Sequence, residues 1–206
     1  MDAVRTLILA LTATAACTPA RATHVTIEVR TPSGAAARDA VVVVDAQDGA
    51  AAPAHEKAVV DQVNKQFDPQ ITVVRTGSTI VFPNHDQIHH QVYSFSEARR
   101  FELDLYAGSR NASEVFGKPG LVVLGCNIHD RMLAFVAVVG SPYFAKLPAN
   151  GTGDFDLPPG RYTVSAWHPE LGAVHKQTLT VESAPAKVTL TLQAPPTYDP
   201  VSAWPE

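Results

Sequence analysis

Short runs in which apolar and polar residues alternate are the feature that most constrains the fold of this chain. Residues 25–30 alternate in this way, and residues 162–166 and 178–182 repeat the pattern. Because successive side chains of a strand point to opposite faces, a period of two indicates half-buried β-strands. Turn signals rich in Gly and Pro separate the runs, as in Pro158-Pro159-Gly160. The pattern predicts an all-β protein of packed sheets.

A second group of runs is apolar throughout. Residues 40–46 are rich enough in Val to predict a strand that is buried on both faces. Further strands are predicted at residues 71–74, 79–82, 90–96, 121–124 and 133–139. The sequence has no convincing helical period apart from a turn near residues 56–64.

Composition and charge exclude some classes of function. The chain has 206 residues, of which 46% are hydrophobic and 17% charged, and this composition supports a folded core in one medium domain or two small ones. The formal net charge is -4 and the sequence has no basic cluster, so we expect no nucleic acid partner.

The N-terminal residues 1–22 are typical of a secretory signal peptide. Arg5 precedes a short apolar stretch at residues 7–16, and Ala20-Arg21-Ala22 is a small-x-small cleavage site. The stretch is too short for a stable membrane span. We therefore expect a periplasmic or secreted protein that is cleaved near Ala22, with lipid attachment at Cys17 as the less favoured alternative.

Cleavage of the signal would leave one cysteine. Since Cys17 departs with it, Cys126 remains alone and has no partner for an internal disulfide. A free thiol is a liability in an oxidising compartment. Cys126 is therefore either a buried, inert thiol or a metal ligand.

The motif Cys126-x2-His129-x2-Met132 favours the metal. It lies between two predicted strands, and His90 opens another one. Thiolate and thioether donors favour Cu(I), while imidazole serves both Cu(I) and Cu(II). Two His, one Cys and a weak axial Met form a blue-copper electron-transfer site, so we expect one copper ion at these four residues.

Residues 55–140 resemble the cupredoxins. The matching segments are Phe67–Asp68–Pro69, Val81 to Asp86, His90-Gln91-Val92 and Cys126 to Met132. The spacing in the last segment is that of amicyanin. The resemblance implies a Greek-key sandwich with a mononuclear type 1 copper and an exposed edge of His129 as the electron port. Residues 89–95 with Cys126 to Asp130 also resemble a bacterial group labelled methylamine-utilisation proteins.

Details within the resemblance leave alternatives open. The family's His-x-Val pattern favours His90 over His89 as the ligand, and His85 and His89 are then surface groups. Asp86 and Asp130 are candidates to orient a ligand imidazole, although solvated loop carboxylates are commoner. Asn84 is a candidate to pin the site through hydrogen bonds.

Three positions depart from the family pattern. Gln91 replaces an Asn that ties the ligand loops together, Leu124 replaces an aromatic residue, and Ala134 replaces a Gly. These changes concern the colour, potential and rigidity of the site rather than copper binding.

The flanks, residues 24–48 and 150–193, resemble the transthyretin-like carboxypeptidase regulatory domain. They predict a second small β-sandwich into which the cupredoxin is inserted. The alternative is an N-terminal extension of the cupredoxin followed by a separate C-terminal sandwich. Residues 194–206 are Pro-rich and predict an unstructured tail.

A copper ion with four protein ligands has no open position for substrate, so we expect an electron carrier rather than an enzyme. Its partners would be periplasmic redox proteins, and the flanking sandwich could join a larger assembly. The alternative is a copper-binding or delivery protein.

The segment Trp167 to Glu170 is distinctive and is interpreted as a strand end rather than a second metal site.

Overall fold

The computed structural model describes residues 21–47, 55–108, 112–193, 199–200 and 204–205. These residues form strands, turns and loops without any helix, which confirms the predicted all-β class. No helix in these residues is therefore long and apolar enough to cross a membrane. The predicted signal peptide up to Ala20, including Cys17, and most of the predicted tail lie outside the described residues.

Seventeen strands follow one another in the described residues. They are β1 (Thr23–Arg30), β2 (Val41–Ala46), β3 (Lys57–Val59), β4 (Asp61–Val63), β5 (Gln66–Asp68), β6 (Ile71–Arg75), β7 (Ser78–Val81), β8 (Tyr93–Ser94), β9 (Phe101–Glu102), β10 (Ser113–Phe116), β11 (Gly120–Gly125), β12 (Leu133–Val139), β13 (Tyr143–Lys146), β14 (Thr152–Leu157), β15 (Gly160–His168), β16 (Gly172–Val181) and β17 (Ala186–Thr191).

The flanking strands form two sheets that pack on each other. One sheet has the order β14-β1-β17, and the other has the order β13-β2-β15-β16. The alternating residues Val25, Ile27 and Val29 of β1 are fully buried between them, together with Tyr162 and Val164 of β15. We call this apolar cluster the flank core.

The segment between the flanks contributes two further principal sheets. One has the order β10-β7-β3 and the other has the order β6-β12-β11-β8-β9. Their shared interior contains Phe82, Phe116, Leu124, Cys126 and Met132, and we call it the site core. A separate two-stranded hairpin joins β4 to β5.

A third apolar cluster, the middle core, joins the two pairs of sheets. In β2, Val42 and Val44 pack in the flank core while Val41 and Val43 pack in the middle core, so the strand is buried on both faces as predicted. In β12, Ala137 lies in the middle core and its neighbours point into the site core. The result is four stacked layers with an apolar core between each pair.

The flanking strands pair with each other across the sequence. Strand β1 is antiparallel to β14 and parallel to β17, and β2 lies between β13 and β15. The chain therefore leaves this pair of sheets after β2 and returns to it at β13. The relation of these strands to the carboxypeptidase regulatory domain stays a prediction.

Some local features differ from the sequence-based expectations. Residues 57–63 form strands β3 and β4, and the expected strand at residues 90–96 is reduced to Tyr93–Ser94, preceded by a single bridge between His90 and Tyr106. Trp204, in the segment expected to be unstructured, is only 8% exposed and stacks edge-on against Trp167. Burial of an aromatic ring explains this local order.

Candidate metal centre

A short loop between β11 and β12 brings Cys126 and Met132 close together. The two strands are antiparallel, and Gly125 pairs with Leu133, so the intervening residues form a closed loop. Within it, the backbone N–H of His129 donates to the carbonyl of Cys126 (3.3 Å), and that of Met132 donates to the carbonyl of His129 (2.9 Å). These successive turns match the spacing of two residues between each pair of predicted ligands.

Cys126 lies between two imidazole rings. Its Sγ atom is 3.7 Å from Nδ1 of His90 and 3.8 Å from Nδ1 of His129. One ligand atom from each of the three side chains lies within 4.8 Å of the others. The structure therefore gathers three of the four predicted ligands from two separate segments of the chain.

These separations fit a first-row transition metal. With a metal–sulfur bond of about 2.3 Å and metal–nitrogen bonds of about 2.0 Å, a trigonal arrangement separates sulfur from nitrogen by about 3.7 Å. A thiol has a single proton and can donate to only one of two imidazoles. The second ring could then only donate its own N–H to sulfur, which is a weak acceptor, whereas a shared ion accounts for both contacts at once.

The site is buried except at His129. His90 is 0%, Met132 1% and Cys126 3% exposed, whereas His129 is half-buried. Met132 packs in the site core with Cys126. The burial of Met132 suits either an axial ligand or a core side chain, so the role of Met132 as a ligand stays a prediction.

The other histidines near the motif point elsewhere. His89 is exposed, and the exposed His85 has its Nδ1 2.6 Å from Oδ2 of Asp61. Neither belongs to the group of three residues that could hold a metal. Of the two adjacent histidines, His90 is therefore the one that faces Cys126.

Asp86 supports His90 from the side opposite Cys126. Its Oδ2 atom is 2.7 Å from Nε2 of His90. Burial acts to raise the pKa of the Asp86 carboxyl, but hydrogen bonds from the backbone of Lys65, the side chain of His90 and the backbone of Asn64 outweigh it and keep the pKa below its ordinary value. Asp130, the other candidate, is exposed.

Asn84 and Tyr106 hold the segment that carries His90. The side-chain Nδ2 of Asn84 donates to the carbonyls of Ile88 (3.0 Å) and Tyr106 (2.8 Å), and its Oδ1 accepts from the backbone of Asp86 (2.9 Å). His90 and Tyr106 exchange two backbone hydrogen bonds. Asn84 therefore pins the site through hydrogen bonds, as predicted from the sequence.

Gln91 does not connect the two ligand segments. Its Nε2 donates to Oε1 of Glu102 on β9, at 2.8 Å. This contact links Gln91 to the neighbouring strand instead of to the loop of Cys126.

Sequence reasoning missed the contribution of the β4–β5 hairpin. The backbone N–H groups of Asn64 and Lys65 donate to Asp86, and the buried Gln62 binds the hydroxyl of Tyr106 at 2.6 Å. The turn residues are Asn-Lys rather than the Asn-Gly that marks such hairpins most strongly, so the sequence carried only a weak signal for it.

The distinctive segment at Trp167 to Glu170 forms the end of β15 and the turn that follows it. Nδ1 of His168 accepts hydrogen bonds from the backbone of Glu170 (3.1 Å) and Leu171 (3.2 Å), which closes the turn after β15. Burial lowers the pKa of His168, while Glu170 and Asp39 act in the opposite direction.

Comparison with known proteins gives structural likenesses alone. No protein-family model and no curated protein sequence matches the chain. A copper-containing nitrite reductase from Thermus scotoductus SA-01 is 22% identical over 42% of this chain and 23% of its own, with a TM-score of 0.39. A purple cupredoxin from Nitrosopumilus maritimus is 17% identical over 41% of this chain and 99% of its own, with a TM-score of 0.36.

A variant of amicyanin in its reduced Cu(I) form is 18% identical over 48% of this chain and 98% of its own, with a TM-score of 0.38. Each match covers less than half of this chain, which in turn spans only a quarter of the nitrite reductase. The choice of metal therefore depends on the side chains of the site itself.

Proposed function

We propose that His90, Cys126, His129 and Met132 bind one copper ion and that the protein carries single electrons. The observation that carries this proposal is the convergence of two imidazole nitrogens, at 3.7 and 3.8 Å, on the buried sulfur of Cys126. Two His and one Cys with a thioether form a donor set that suits copper in both oxidation states. Copper bound there would supply a one-electron couple between Cu(I) and Cu(II).

The surrounding side chains support electron transfer over catalysis. Cys126 is 3% exposed and lies in the site core with the fully buried Phe82 and Leu124, so its sulfur is largely kept from water. Four protein donors would leave no position for a substrate. We therefore propose a carrier and not an enzyme.

His129 is the proposed electron port because it is the ligand that reaches the surface. Its neighbour Ile128 is 49% exposed and Leu133, just beyond the loop, is 44% exposed. Apolar side chains beside a partly exposed ligand suit brief contact with a redox partner. Periplasmic redox proteins are the proposed partners.

The cellular setting belongs to the same proposal. The signal-like residues 1–22 support export to the periplasm. The flanking sheets are proposed to be a carboxypeptidase regulatory-like sandwich. They pack through the middle core against the sheets that carry the candidate metal centre and could attach them to a larger assembly.

Voltammetry combined with chelator competition tests the proposal. We expect copper-loaded protein to show a reversible one-electron couple and to keep its copper in the presence of a mild chelator. Loss of copper to the chelator, with no reversible couple, would favour the alternative of a copper-delivery protein. Failure to bind copper at all would reject both functions.

A further inference from the structure

The carboxylate of Asp86 accepts hydrogen bonds on both of its oxygens. Oδ1 accepts from the backbone N–H of Asn64 at 2.7 Å, and Oδ2 accepts from that of Lys65 at 2.8 Å. Oδ2 also lies 2.7 Å from Nε2 of His90. The carboxylate thus connects a backbone turn to a proposed ligand.

The turn that supplies the two backbone donors has a defined shape. Val63 of β4 pairs with Gln66 of β5, so Asn64 and Lys65 are the two central residues of the hairpin. Their φ angles are 55° and 60°, as a type I′ turn requires. Successive N–H groups in such a conformation can form a concave anion site. Here that site is filled by Asp86.

The hairpin is tied to the segment that leads to His90. The backbone N–H of Gln62 donates to the carbonyl of Pro83 at 3.1 Å, and that of His85 donates to the carbonyl of Gln62 at 3.0 Å. The side chain of Gln62, which is fully buried, donates to the carbonyl of Pro83 as well (3.0 Å). The turn and Asp86 are therefore held in register.

This arrangement determines which nitrogen of His90 carries the proton. A carboxylate only accepts hydrogen bonds, so Nε2 of the neutral ring must donate to Asp86. Nδ1, which faces Cys126, then carries a lone pair. Because the ring of His90 is 0% exposed, water cannot replace this contact.

We propose that Asp86, held by the β4–β5 turn, is a positioning residue that fixes His90 in the Nε2–H form and directs Nδ1 at the metal. The inference depends on the proposed copper site and adds the device that organises one of its ligands. A carboxylate on the far nitrogen also makes the imidazole a stronger donor, which stabilises the more highly charged ion.

A second His–Asp pair provides a matched control. The Nδ1 atom of His85 lies 2.6 Å from Oδ2 of Asp61, but His85 is exposed and lies outside the metal-ligand group. Asp61→Asn removes the charge from the same kind of contact without touching a proposed ligand.

The test compares wild-type protein with Asp86→Asn and Asp61→Asn. In wild-type protein without metal, ¹⁵N NMR of the histidine rings should show His90 as the Nε2–H tautomer with a slowly exchanging proton. In Asp86→Asn the uncharged amide oxygen is a weaker acceptor, so that proton should exchange faster, copper affinity should fall about 10- to 100-fold, and the reduction potential should rise. Asp61→Asn should match the wild type in all three measurements.

Two results would overturn the inference. One is a wild-type His90 that carries its proton on Nδ1, a measurement that needs neither copper nor a folded variant. The other is wild-type protein that binds copper while Asp86→Asn keeps the same affinity and potential. Wild-type protein that has the expected tautomer but binds no copper would reject the proposed function and, with it, the role of Asp86 towards a metal, while the hydrogen bond itself would stand.

Discussion

At the scale of single residues, the donors of the candidate centre differ in how far the sequence could identify them. Cys126 and His129 are three positions apart in one loop, so their spacing alone predicted the contact that is present at 3.8 Å. His90 is 36 residues away from Cys126, and the choice between His89 and His90 depended on a family pattern. The support from Asp86 depends on a turn more than 20 residues earlier, which no local pattern could reveal.

Met132 is the position at which core packing and metal binding can be separated. Leu has nearly the same volume, so Met132→Leu should cost less than about 1.5 kcal/mol in the free energy of unfolding. If the thioether is an axial donor, its loss removes electron density from the more highly charged ion and the reduction potential rises. Voltammetry checks this, with Leu147→Met in the flank core as the control. An unchanged potential in Met132→Leu would identify Met132 as a core side chain.

His168 should make the stability of the fold depend on pH. Its pKa is lowered by burial in the folded chain, whereas in the unfolded chain it stays near the ordinary value of about 6.5. Between these two values the unfolded chain binds the proton and the folded chain does not, so stability falls as the pH drops below about 6.5.

His168→Asn keeps an acceptor near the position of Nδ1 but does not titrate. Urea unfolding at a series of pH values should therefore show a shallower loss of stability in this variant than in the wild type. Equal slopes for the two proteins would show that His168 does not contribute to the pH dependence.

At the scale of elements, the strands with a strong period were predicted well. Strand β1 alternates in sequence and in burial, and the apolar run of β2 is buried on both faces. Strands β3, β4 and β5 were predicted less well, because each is only three residues long. Strand β3 is stabilised by pairing with β7 further along the chain, and β4 and β5 pair with each other in a hairpin. Such short strands carry too few positions to establish a period.

Substitution of Gly151 by Ala tests how closely the turn at Gly151 packs against β1. Gly151 has a φ of +66°, and a Cβ added there would lie 2.7 Å from the carbonyl oxygen of Val29 and 2.8 Å from the backbone nitrogen of Ala37. Gly34 has a φ of +86° but would place a Cβ in open space. Both Gly→Ala changes incur the cost of positive φ, of roughly 1–2 kcal/mol, and only Gly151→Ala adds a clash with backbone.

Chemical denaturation should therefore find Gly151→Ala less stable than Gly34→Ala by a further 1 kcal/mol or more, on the order of an overpacking penalty. Equal destabilisation of the two variants would show that the backbone around Gly151 moves aside without cost.

At the scale of the whole molecule, the middle core should make the flanking sheets unfold together with the two sheets that enclose the site core. Trp167 is 0% exposed in the middle core and stacks edge-on against Phe135 of β12 with ring centroids 5.7 Å apart. We expect Trp167→Ala to cost about 3–5 kcal/mol. Phe95→Ala, at a side chain that is 70% exposed, should change stability by less than about 0.5 kcal/mol.

Two probes measure whether unfolding is cooperative. Far-UV circular dichroism follows all the sheets, and the reactivity of the buried Cys126 thiol in metal-free protein follows the site core alone. Coincident transitions in the wild type would agree with a shared middle core. Exposure of Cys126 well before the loss of the circular dichroism signal would contradict it.

The central claim is that Cys126 is a copper ligand, and an absorption and EPR spectrum of the copper-loaded protein tests it most directly. A thiolate bound to Cu(II) should give a strong visible charge-transfer band, together with the EPR signal of a single copper ion. The same measurement on Cys126→Ala should show no such band. A wild-type protein without the band, or a Cys126→Ala spectrum identical to that of the wild type, would contradict the claim.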